Sequence, residues 1–215
     1  MSHSPPHLPL PGILLHSPRA YDLQVWLATR GRERSLRETI LNLARPRPGE
    51  AVLDVGCGTG TLAIATRPRV GPDGEVVGAD PSAEMLAGAR RKARRSGVEV
   101  SFVQAPAQAL PFPERRFDLV MSTLMLHHLP RPARGEALRE IRRVLKPGGR
   151  LLVVDFASSS KQQGGLLHRL HHHGRVKPAE ILELVTGAGL ERLDAGALSV
   201  RDLYYVLAVA PGAEA

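Results

Sequence analysis

Three glycines alternate with other residues directly after a short apolar segment. Residues 51–60 read AVLDVGCGTG, so Gly56, Gly58 and Gly60 stand at every second position. The dinucleotide fingerprint G-x-G-x-x-G sets a helix N-terminus against a pyrophosphate, but Thr61 occupies the last position of that pattern here. A P-loop is also excluded, because no Gly-Lys-Ser/Thr follows the glycines. The spacing therefore favours a ligand other than a pyrophosphate.

Two aspartates accompany this loop. Asp54 lies just before it, and Asp80 follows Gly60 by about 20 residues, at the end of the next apolar segment. An acidic group at that distance can accept hydrogen bonds from both hydroxyls of a ribose. Because a carboxylate would repel a 2′-phosphate, Asp80 predicts a ligand with a free ribose diol.

The elements that carry these residues alternate between strand and helix. Strands are predicted in AVLDV, EVVGAD, VEVSFVQ, FDLVMS and GRLLVVDF, and helices in TLAIATR, AEMLAGARRKARRS, RGEALREIRRVL and PAEILELVTGAGL. Ser82 and Gly97 stand where the cap residues of the second of these helices belong. Two last strands, in ERLDAGAL and DLYYVLAVA, are expected to form an antiparallel edge. The pattern predicts an α/β, Rossmann-like fold with a seven-stranded, mostly parallel sheet, an antiparallel last strand and helices on both faces.

The composition restricts the class of protein. Of the 215 residues, 43% are hydrophobic and 23% charged, and no apolar run approaches the ~20 residues that span a bilayer. The proline-rich N-terminus lacks the basic start of a signal peptide, and the one cysteine, Cys57, cannot form an internal disulfide. We therefore expect a cytoplasmic protein. The net charge of +8 favours anionic partners, so peripheral contact with an acidic membrane is an open expectation.

Several ordered motifs together resemble a known family. VLDVGCGTG, GADPSAEML, LPFPERRFDLVMSTLMLHHL and EIRRVLKPGGRLLVVDF occur in this order, within a match of roughly residues 21–211. The chain resembles the class I S-adenosylmethionine-dependent methyltransferases, and within them the ubiquinone/menaquinone-biosynthesis and related small-molecule enzymes. The resemblance implies S-adenosyl-L-methionine as cofactor and S-adenosyl-L-homocysteine as product. It also implies in-line methyl transfer to a small-molecule or lipid-like acceptor.

The resemblance assigns residues to the cofactor. It implies that Asp54 and the loop hold the methionine end, that Asp80 binds the ribose, and that other residues lie along the adenine and the rest of the cofactor; the full set is Asp54, Gly56, Cys57, Gly58, Gly60, Asp80, Pro81, Met85, Ala107, Gln108, Ser122 and Leu124. Simpler explanations exist for some of them. The glycines can merely permit a tight turn, Asp80 can cap the helix that begins near Ser82, and Met85 can fill the core.

One position departs from the family pattern. Relatives commonly carry an acidic residue after the third strand, in a stretch like GDAExLPF, where it accepts a hydrogen bond from the adenine amino group. This chain has QAPAQALPF, with Pro106 in place of the aspartate and Gln108 where a second acidic residue is frequent. Adenine recognition is therefore expected from backbone groups near Ala107 or from the amide of Gln108.

A catalytic base is needed only if the acceptor must lose a proton, because the leaving group is already activated. The candidates are Tyr21, His127, His128 and the cluster His168, His171, His172 and His173. Three of the cluster residues share a helix face, but no cysteine or fixed carboxylate accompanies them, so no metal site is predicted.

We expect a leader over residues 1–20 and one methyltransferase domain over 21–215. Within that domain, 21–48 with Tyr21 and Trp26 would form a helical lid, 50–156 the cofactor-binding core, and 157–215 a substrate lid and the C-terminal strands. Two alternatives stay open: a catalytically weak cofactor-binding protein, and an RNA-directed methyltransferase. The aromatic content of 4% disfavours stacking of bases, and the run RRKARR is more simply an exposed helix side, so no nucleic-acid partner is expected.

Overall fold

A seven-stranded sheet forms the centre of the molecule. The computed structural model describes residues 33–156, 176–199 and 203–212. The strands are β1 (Ala51–Val55), β2 (Glu75–Asp80), β3 (Ser101–Gln104), β4 (Phe117–Thr123), β5 (Leu145–Phe156), β6 (Glu191–Ala197) and β7 (Leu203–Val209). Their order is β3-β2-β1-β4-β5-β7-β6, and β7 runs antiparallel to both of its neighbours whereas the first five strands are parallel. The predicted fold class is confirmed.

Five α-helices and one short 3₁₀ helix connect these strands in the described ranges. They are α1 (Glu33–Ala44), α2 (Thr61–Val70), α3 (Ala83–Ser96), the 3₁₀ helix Leu126–His128, α4 (Arg131–Val144) and α5 (Pro178–Gly187). The caps of α3 are those that the sequence predicted. Ser82 Oγ accepts from the backbone nitrogen of Met85 at 3.2 Å, and Gly97 ends the helix with φ +63°.

Alternating side chains of the parallel strands enter two separate cores. Leu53, Val77, Val120 and Val153 pack on one face of the sheet with α4 and α5. Their neighbours Val52, Val76, Leu119 and Leu152 pack on the other face with α1 and α2. Both faces are apolar because helices cover both, as a parallel sheet requires. The strands' carboxyl ends therefore remain as the edge where polar groups from several elements meet.

Some boundaries differ from the sequence predictions. The third strand begins at Ser101 rather than at Val98, because β2, its partner among the described strands, pairs with residues 101–104. The fifth strand begins at Leu145, which pairs with Phe117 before the register shifts to Leu119 and Arg150. The KPGG segment is thus an irregularity inside β5 rather than a turn before it. The bulge absorbs the extra residues without ending the strand.

Other predictions fall outside the described residues. They concern Tyr21, Trp26 and the histidine cluster at 168–173, together with the lids to which we assigned them. Among the helices that are described, none is both long and apolar enough to cross a membrane.

Candidate functional site

The glycine loop joins β1 to α2 and is fastened to β2 by Asp80. The Asp80 Oδ2 accepts from the backbone nitrogen of Gly58 at 2.8 Å, and its Oδ1 accepts from that of Ser82 at 2.9 Å. Burial raises the pKa of this carboxyl group, and the two backbone hydrogen bonds offset part of the rise. Asp80 therefore supports both the loop and the turn before α3. Each oxygen keeps a second lone pair, so the ribose role stays a compatible prediction.

Asp54 is a buried carboxylate without a partner. It is 1% exposed, and in the part of the chain that the structure describes neither of its oxygens has a hydrogen-bond partner. Burial, and secondly the charge of Asp80, raise the pKa of Asp54 from 3.8 to about 7. The backbone amide of Ala63 acts in the opposite direction but makes no hydrogen bond of normal geometry. A buried carboxylate in this state is costly unless a cationic or hydrogen-bonding group meets it.

Asp54 lines an open cleft between α1, the glycine loop and the end of β4. The residues around the cleft are Glu33, Leu36, Arg37, Ile40, Asp54, Gly56, Cys57, Thr59, Thr61, Leu62, Thr123 and Leu124. Four of the predicted site residues are in this set. The α1 residues, the three threonines and Leu62 were not predicted as site residues. For α1 the reason is that helical spacing gives a helix but not the strand end over which it lies.

A lysine from α3 also reaches this cleft. Lys92 Nζ donates to Thr59 Oγ1 at 2.9 Å and to Thr61 Oγ1 at 2.7 Å. Its position in the sequence, inside the basic run of α3, indicated only an exposed helix side. The arginines of that run, Arg90, Arg91, Arg94 and Arg95, are exposed as expected, whereas Lys92 is half-buried. The difference arises because Lys92 stands on the side of α3 that meets the start of α2.

The segment after β3 presents unused backbone donors. Ala107 is buried and Gln108 half-buried, and within the described residues the backbone N–H of neither donates a hydrogen bond. Pro106 has no N–H, and its carbonyl accepts from Ala109 at 3.1 Å. This loop therefore presents the N–H groups of Ala107 and Gln108, which have no acceptor among the described residues, directly after Pro106. Pro106 stands where relatives commonly carry an acidic residue. Donors of this kind suit the acceptor nitrogens of an adenine ring.

Two residues of α4 anchor the same segment. Glu140 Oε2 accepts from the backbone nitrogen of Leu110 at 2.9 Å, while Arg143 donates to the carbonyls of Leu110 and Phe112 at 2.9 and 2.8 Å. Arg143 also pairs with Glu140, and that hydrogen bond holds the pKa of Glu140 below its usual range. Sequence reasoning missed this support, because it depends on a contact between residues about 30 positions apart.

The remaining predicted cofactor residues lie near the same strand ends. Leu124 follows β4 with φ +54°, a conformation that non-glycine residues rarely adopt, and it lines the cleft. The Oγ of Ser122 is buried without a partner in the described part of the molecule. Cys57 lines the cleft, and burial raises the pKa of its thiol. Met85 is 2% exposed, so its prediction as an adenine contact competes directly with a packing role.

The two candidate histidines occupy the 3₁₀ helix beyond β4. His127 Nδ1 lies 2.7 Å from Asp155 Oδ1, and the ring centroids of His127 and His128 are 3.9 Å apart. Burial, and secondly the neighbouring His127, lower the pKa of His128 to about 4. His128 is therefore neutral at physiological pH. The two histidines are chemically different although they are adjacent in the sequence.

Comparisons with known proteins agree with this geometry. A family model described as a methyltransferase domain matches residues 52–149. A demethylmenaquinone methyltransferase from Thermus thermophilus is 41% identical over 158 residues, which are 74% of this chain and 70% of that protein. The chain belongs to the class I S-adenosylmethionine-dependent methyltransferases of the ubiquinone/menaquinone-biosynthesis type. This confirms the family, the enzyme class and the cofactor that the sequence motifs indicated.

Other relatives are similar to this chain over only part of their length, or in fold alone. The ubiquinone/menaquinone biosynthesis C-methyltransferase UbiE of Pseudomonas aeruginosa is 44% identical over 150 residues, and the alignment spans 68% of this chain but only 58% of that protein. A crystal structure of a SAM-dependent methyltransferase from Aquifex aeolicus superimposes with a TM-score of 0.71 at 22% identity, covering 90% of this chain and 98% of the other. That structural likeness supports the fold.

The site residues of this methyltransferase fit its donor. S-adenosylmethionine carries an ammonium group, a ribose diol and an adenine. Within the described residues, the carboxyl ends of β1, β2 and β3 are followed or flanked by a buried carboxylate without a partner, a carboxylate at the end of β2 and two backbone donors without an acceptor. The Asp54 carboxylate is the feature that decides the fit, because no described residue partners it and a cationic ligand group would satisfy it.

Proposed function

We propose that this protein transfers the methyl group of S-adenosylmethionine to a carbon atom of a small aromatic acceptor of the quinol type. The observation that carries the proposal is the buried Asp54 carboxylate next to the glycine loop, which no residue of the described ranges partners. Its ionised form would pair with the donor's ammonium. The acceptor class rests on the names of the relatives, a demethylmenaquinone methyltransferase and a C-methyltransferase of ubiquinone/menaquinone biosynthesis.

Each part of the donor has a matching group in this chain. Asp54 would hold the ammonium, the glycine loop the rest of the methionine moiety, Asp80 the ribose hydroxyls, and the N–H groups of Ala107 and Gln108 the adenine. When bound, the donor supplies a methyl group attached to a positively charged sulfonium sulfur. The positive charge makes the sulfur a good leaving group. The protein's part is then to align the acceptor in line with that methyl group and to exclude water.

The chemistry of carbon methylation favours a reduced acceptor. A quinone ring is electron-poor and a weak nucleophile, whereas the hydroquinone donates electron density from its hydroxyl oxygens into the ring carbons. Removal of a hydroxyl proton increases this density further, so a general base near the acceptor would raise the rate. His127, His128 and Tyr21 are the candidates, and the lids predicted over 21–48 and 158–175 would supply the remaining walls of the acceptor site.

A transfer assay tests this function. The full chain is incubated with methyl-labelled S-adenosylmethionine and either a demethylated menaquinol, kept reduced, or the corresponding oxidised quinone. We expect label in the ring of the quinol and none with the quinone. Asp80→Ala should weaken donor binding at least tenfold, because the ribose hydroxyls lose a charged acceptor. Asp73→Ala is the matched control, since Asp73 is an exposed carboxylate at the other end of β2.

A binding protein without turnover is the second candidate, and Pro106 in place of the family's acidic residue is the observation that favours it. Calorimetry separates the two functions. Binding of S-adenosylhomocysteine together with labelled quinol supports the enzyme. Binding without transfer to any quinol or phenol supports the binding protein, and absence of binding at millimolar ligand contradicts both. Location in the cytoplasm stays a prediction.

A further inference from the structure

One buried carboxylate outside the donor cleft is aimed at a candidate base. Asp155, on β5, is 1% exposed. Its Oδ1 lies 2.7 Å from His127 Nδ1, and its Oδ2 accepts from the backbone nitrogen of His127 at 3.2 Å. The same Oδ1 accepts from the backbone nitrogen of Phe156 at 2.7 Å. An ionised carboxylate accepts only, so Nδ1 of His127 must carry the proton in this contact.

That contact determines the other ring nitrogen. In the neutral imidazole, protonation at Nδ1 leaves Nε2 as the acceptor. Within the described residues, Nε2 of His127 makes no hydrogen bond, and the side chain of His127 is 15% exposed. The turn that carries it follows the strand end where Leu124 lines the donor cleft. His127 therefore offers an oriented proton acceptor at the carboxyl edge of the sheet.

A buried arginine holds the backbone of the same turn. The Nε of Arg134 donates to the carbonyls of Leu126 and Leu129, each at 3.0 Å, and these two residues flank the histidine pair. Arg134 is 5% exposed, and its Nη1 donates to Glu180 Oε1 on α5 at 2.7 Å. The guanidinium thus ties the histidine turn to α4 and α5, while Asp155 ties it to β5.

We propose that Asp155 and Arg134 are positioning residues that present Nε2 of His127, rather than His128, as the base that takes a hydroxyl proton from the acceptor. This inference rests on the proposed function and assigns the base within it. It also specifies the acceptor chemically, as an aromatic compound with an ionisable hydroxyl group adjacent to the carbon that is methylated.

The step balances in atoms and electrons. The hydroxyl proton moves to Nε2, and an electron pair of the oxygen is delocalised onto the neighbouring ring carbon. That carbon bonds to the methyl carbon while the S–C bond breaks, and the bonding pair stays on sulfur as the sulfonium becomes a thioether. The ring proton at the new C–C bond then leaves to water, which restores aromaticity, and the protonated His127 returns its proton to the oxygen. One proton is released in each turnover.

The groups around His127 agree with this role. Asp155 is the anion that contacts the ring, and it would stabilise the imidazolium that forms. The ring of His128 lies against that of His127 at an interplanar angle of 40°, and Phe156 contacts the His127 ring edge-on, with centroids 5.1 Å apart. The cationic Arg134 is engaged by two carbonyls and Glu180, and Arg131 lies 3.7 Å from the same glutamate. Asp155 is therefore the charged side chain that contacts the ring in the described part of the chain.

The wild-type protein allows a first test that needs no acceptor. Nitrogen-15 NMR of labelled histidines distinguishes the Nδ1–H tautomer from the Nε2–H tautomer, and His127→Gln identifies the resonance. We expect His127 to be protonated at Nδ1 at neutral pH, and Asp155→Asn to allow the other tautomer. Protonation of the wild-type ring at Nε2 would overturn the inference. It would leave the proposed function intact, because donor and acceptor are not involved in the measurement.

Kinetics with the quinol acceptor give the second test. His127→Gln should lower kcat by about 10²–10⁴-fold, and His128→Gln much less. Asp155→Asn should lower kcat at least tenfold, because the ring loses the carboxylate that fixes its Nδ1–H tautomer. A merely structural aspartate would lower the rate without changing the tautomer of His127 in the NMR measurement. Equal losses in His127→Gln and His128→Gln contradict the assignment.

Two further variants complete the design. Arg134→Lys keeps a charge opposite Glu180 but cannot bridge both carbonyls in the same geometry, so kcat should fall while the affinity for S-adenosylhomocysteine stays within about twofold. Asp194→Asn is the control for the loss of one carboxylate, since Asp194 is exposed on β6 and should leave the rate unchanged. If Arg134→Lys retains the full kcat, the positioning role of Arg134 is wrong.

Discussion

At the scale of single residues, Asp54 makes stability and donor binding oppose each other. Its pKa is raised from 3.8 to about 7 in the folded protein, so folding takes up a proton between these values. The contribution of Asp54 to the free energy of unfolding is therefore most favourable below its unfolded pKa and becomes less favourable as the pH rises towards 7. A shift of about three pKa units corresponds to about 4 kcal/mol. An ionised Asp54 is costly to the fold and is the form that the donor requires.

The first prediction follows from this opposition. Asp54→Asn should become more stable relative to wild type by about 2–3 kcal/mol as the pH rises from 5 to 8, measured by urea unfolding without ligand. Its affinity for S-adenosylhomocysteine at pH 8 should be about 10–100-fold lower, because the ammonium loses its anion. Wild-type affinity should itself fall below pH 7. Asp73→Asn is the control, and a stability difference that does not vary with pH would contradict the assignment.

The residues of the site were predictable to different extents. Asp54 and Asp80 were predicted because they stand at strand ends next to a recognisable loop, and the structure joins Asp80 to Gly58 directly. Asp155 was missed although it ends a predicted strand. The residue that it contacts, His127, is 28 positions away, and the pairing of β4 with β5 brings the two together. A single sequence contains no signal for that contact.

At the scale of elements, the close packing of α2 depends on Gly60. Its φ is +71°, and an added Cβ would lie 2.8 Å from ring atoms of Phe102 and 2.9 Å from the Cβ of Ala89. The last glycine of the loop therefore allows the start of α2 to approach β3 and α3. Gly97, at the end of α3, has a similar left-handed conformation, with φ +63° and ψ +26°, but nothing within 4 Å of an added Cβ. Alanine substitutions at the two positions therefore separate the cost of the backbone conformation from the cost of steric overlap of the added Cβ.

The second prediction compares these positions. Gly97→Ala should cost about 1 kcal/mol in the free energy of unfolding, because only the left-handed backbone disfavours alanine there. Gly60→Ala should cost about 1–3 kcal/mol more, since the methyl group overlaps a ring and a side chain. Urea unfolding of both variants measures the difference. Equal costs would mean that Phe102 moves aside freely and that the loop is not packed as described.

The third prediction concerns the anchor between α4 and the segment after β3. Glu140→Ala removes an acceptor of the Leu110 N–H and the partner of Arg143, so unfolding should become easier by about 1–2 kcal/mol at pH 7. Because the pKa of Glu140 is lowered in the fold, this stabilisation is present above pH 4.5 and should shrink as the pH falls further. Glu38→Ala, which removes an exposed ion pair with Arg69, should cost well under 1 kcal/mol. Similar costs for both variants would contradict the anchor.

Element boundaries were predictable where local chemistry determines them. The bounds of α3 were correct because Ser82 and Gly97 cap it through contacts within a few residues. The bounds of β3 and β5 were not, because strand ends depend on the partner strand. The bulge between Phe117 and Leu119 lets β5 begin before its glycines. Caps are encoded locally, whereas pairing is a property of the assembled sheet.

At the scale of the whole molecule, the two halves of the proposed chemistry approach one sheet edge from opposite faces. Asp54 belongs to the face covered by α1 and α2, where Leu36 and Ile40 line its cleft. Arg134 and Glu180, which hold the histidine turn, belong to the helices α4 and α5 of the other face. The sheet order places β4 between β1 and β5, so its carboxyl end joins the donor cleft to the histidine turn.

The net charge of +8 is the remaining property of the whole molecule that bears on a lipid-like acceptor. The fourth prediction is that the full chain binds vesicles with acidic lipid but not neutral vesicles, through the exposed arginines of α3. Raising the salt from 0.1 to 1 M shortens the Debye length from about 10 to 3 Å and should abolish this binding. Co-sedimentation measures it, with a short RNA tested in the same salt series.

Charge reversal on α3 identifies the contact surface. Arg91→Glu with Arg95→Glu changes one helix face, because residues four positions apart are neighbours, and it should weaken vesicle binding at least tenfold at about 1 kcal/mol per basic residue. Arg131→Glu with Arg139→Glu, on exposed positions of α4, changes the net charge equally. If both pairs weaken binding to the same extent, only net charge acts and α3 is not the membrane face. If the protein instead binds the RNA more tightly than the vesicles, and this binding weakens steeply with salt, the result supports an RNA-directed methyltransferase.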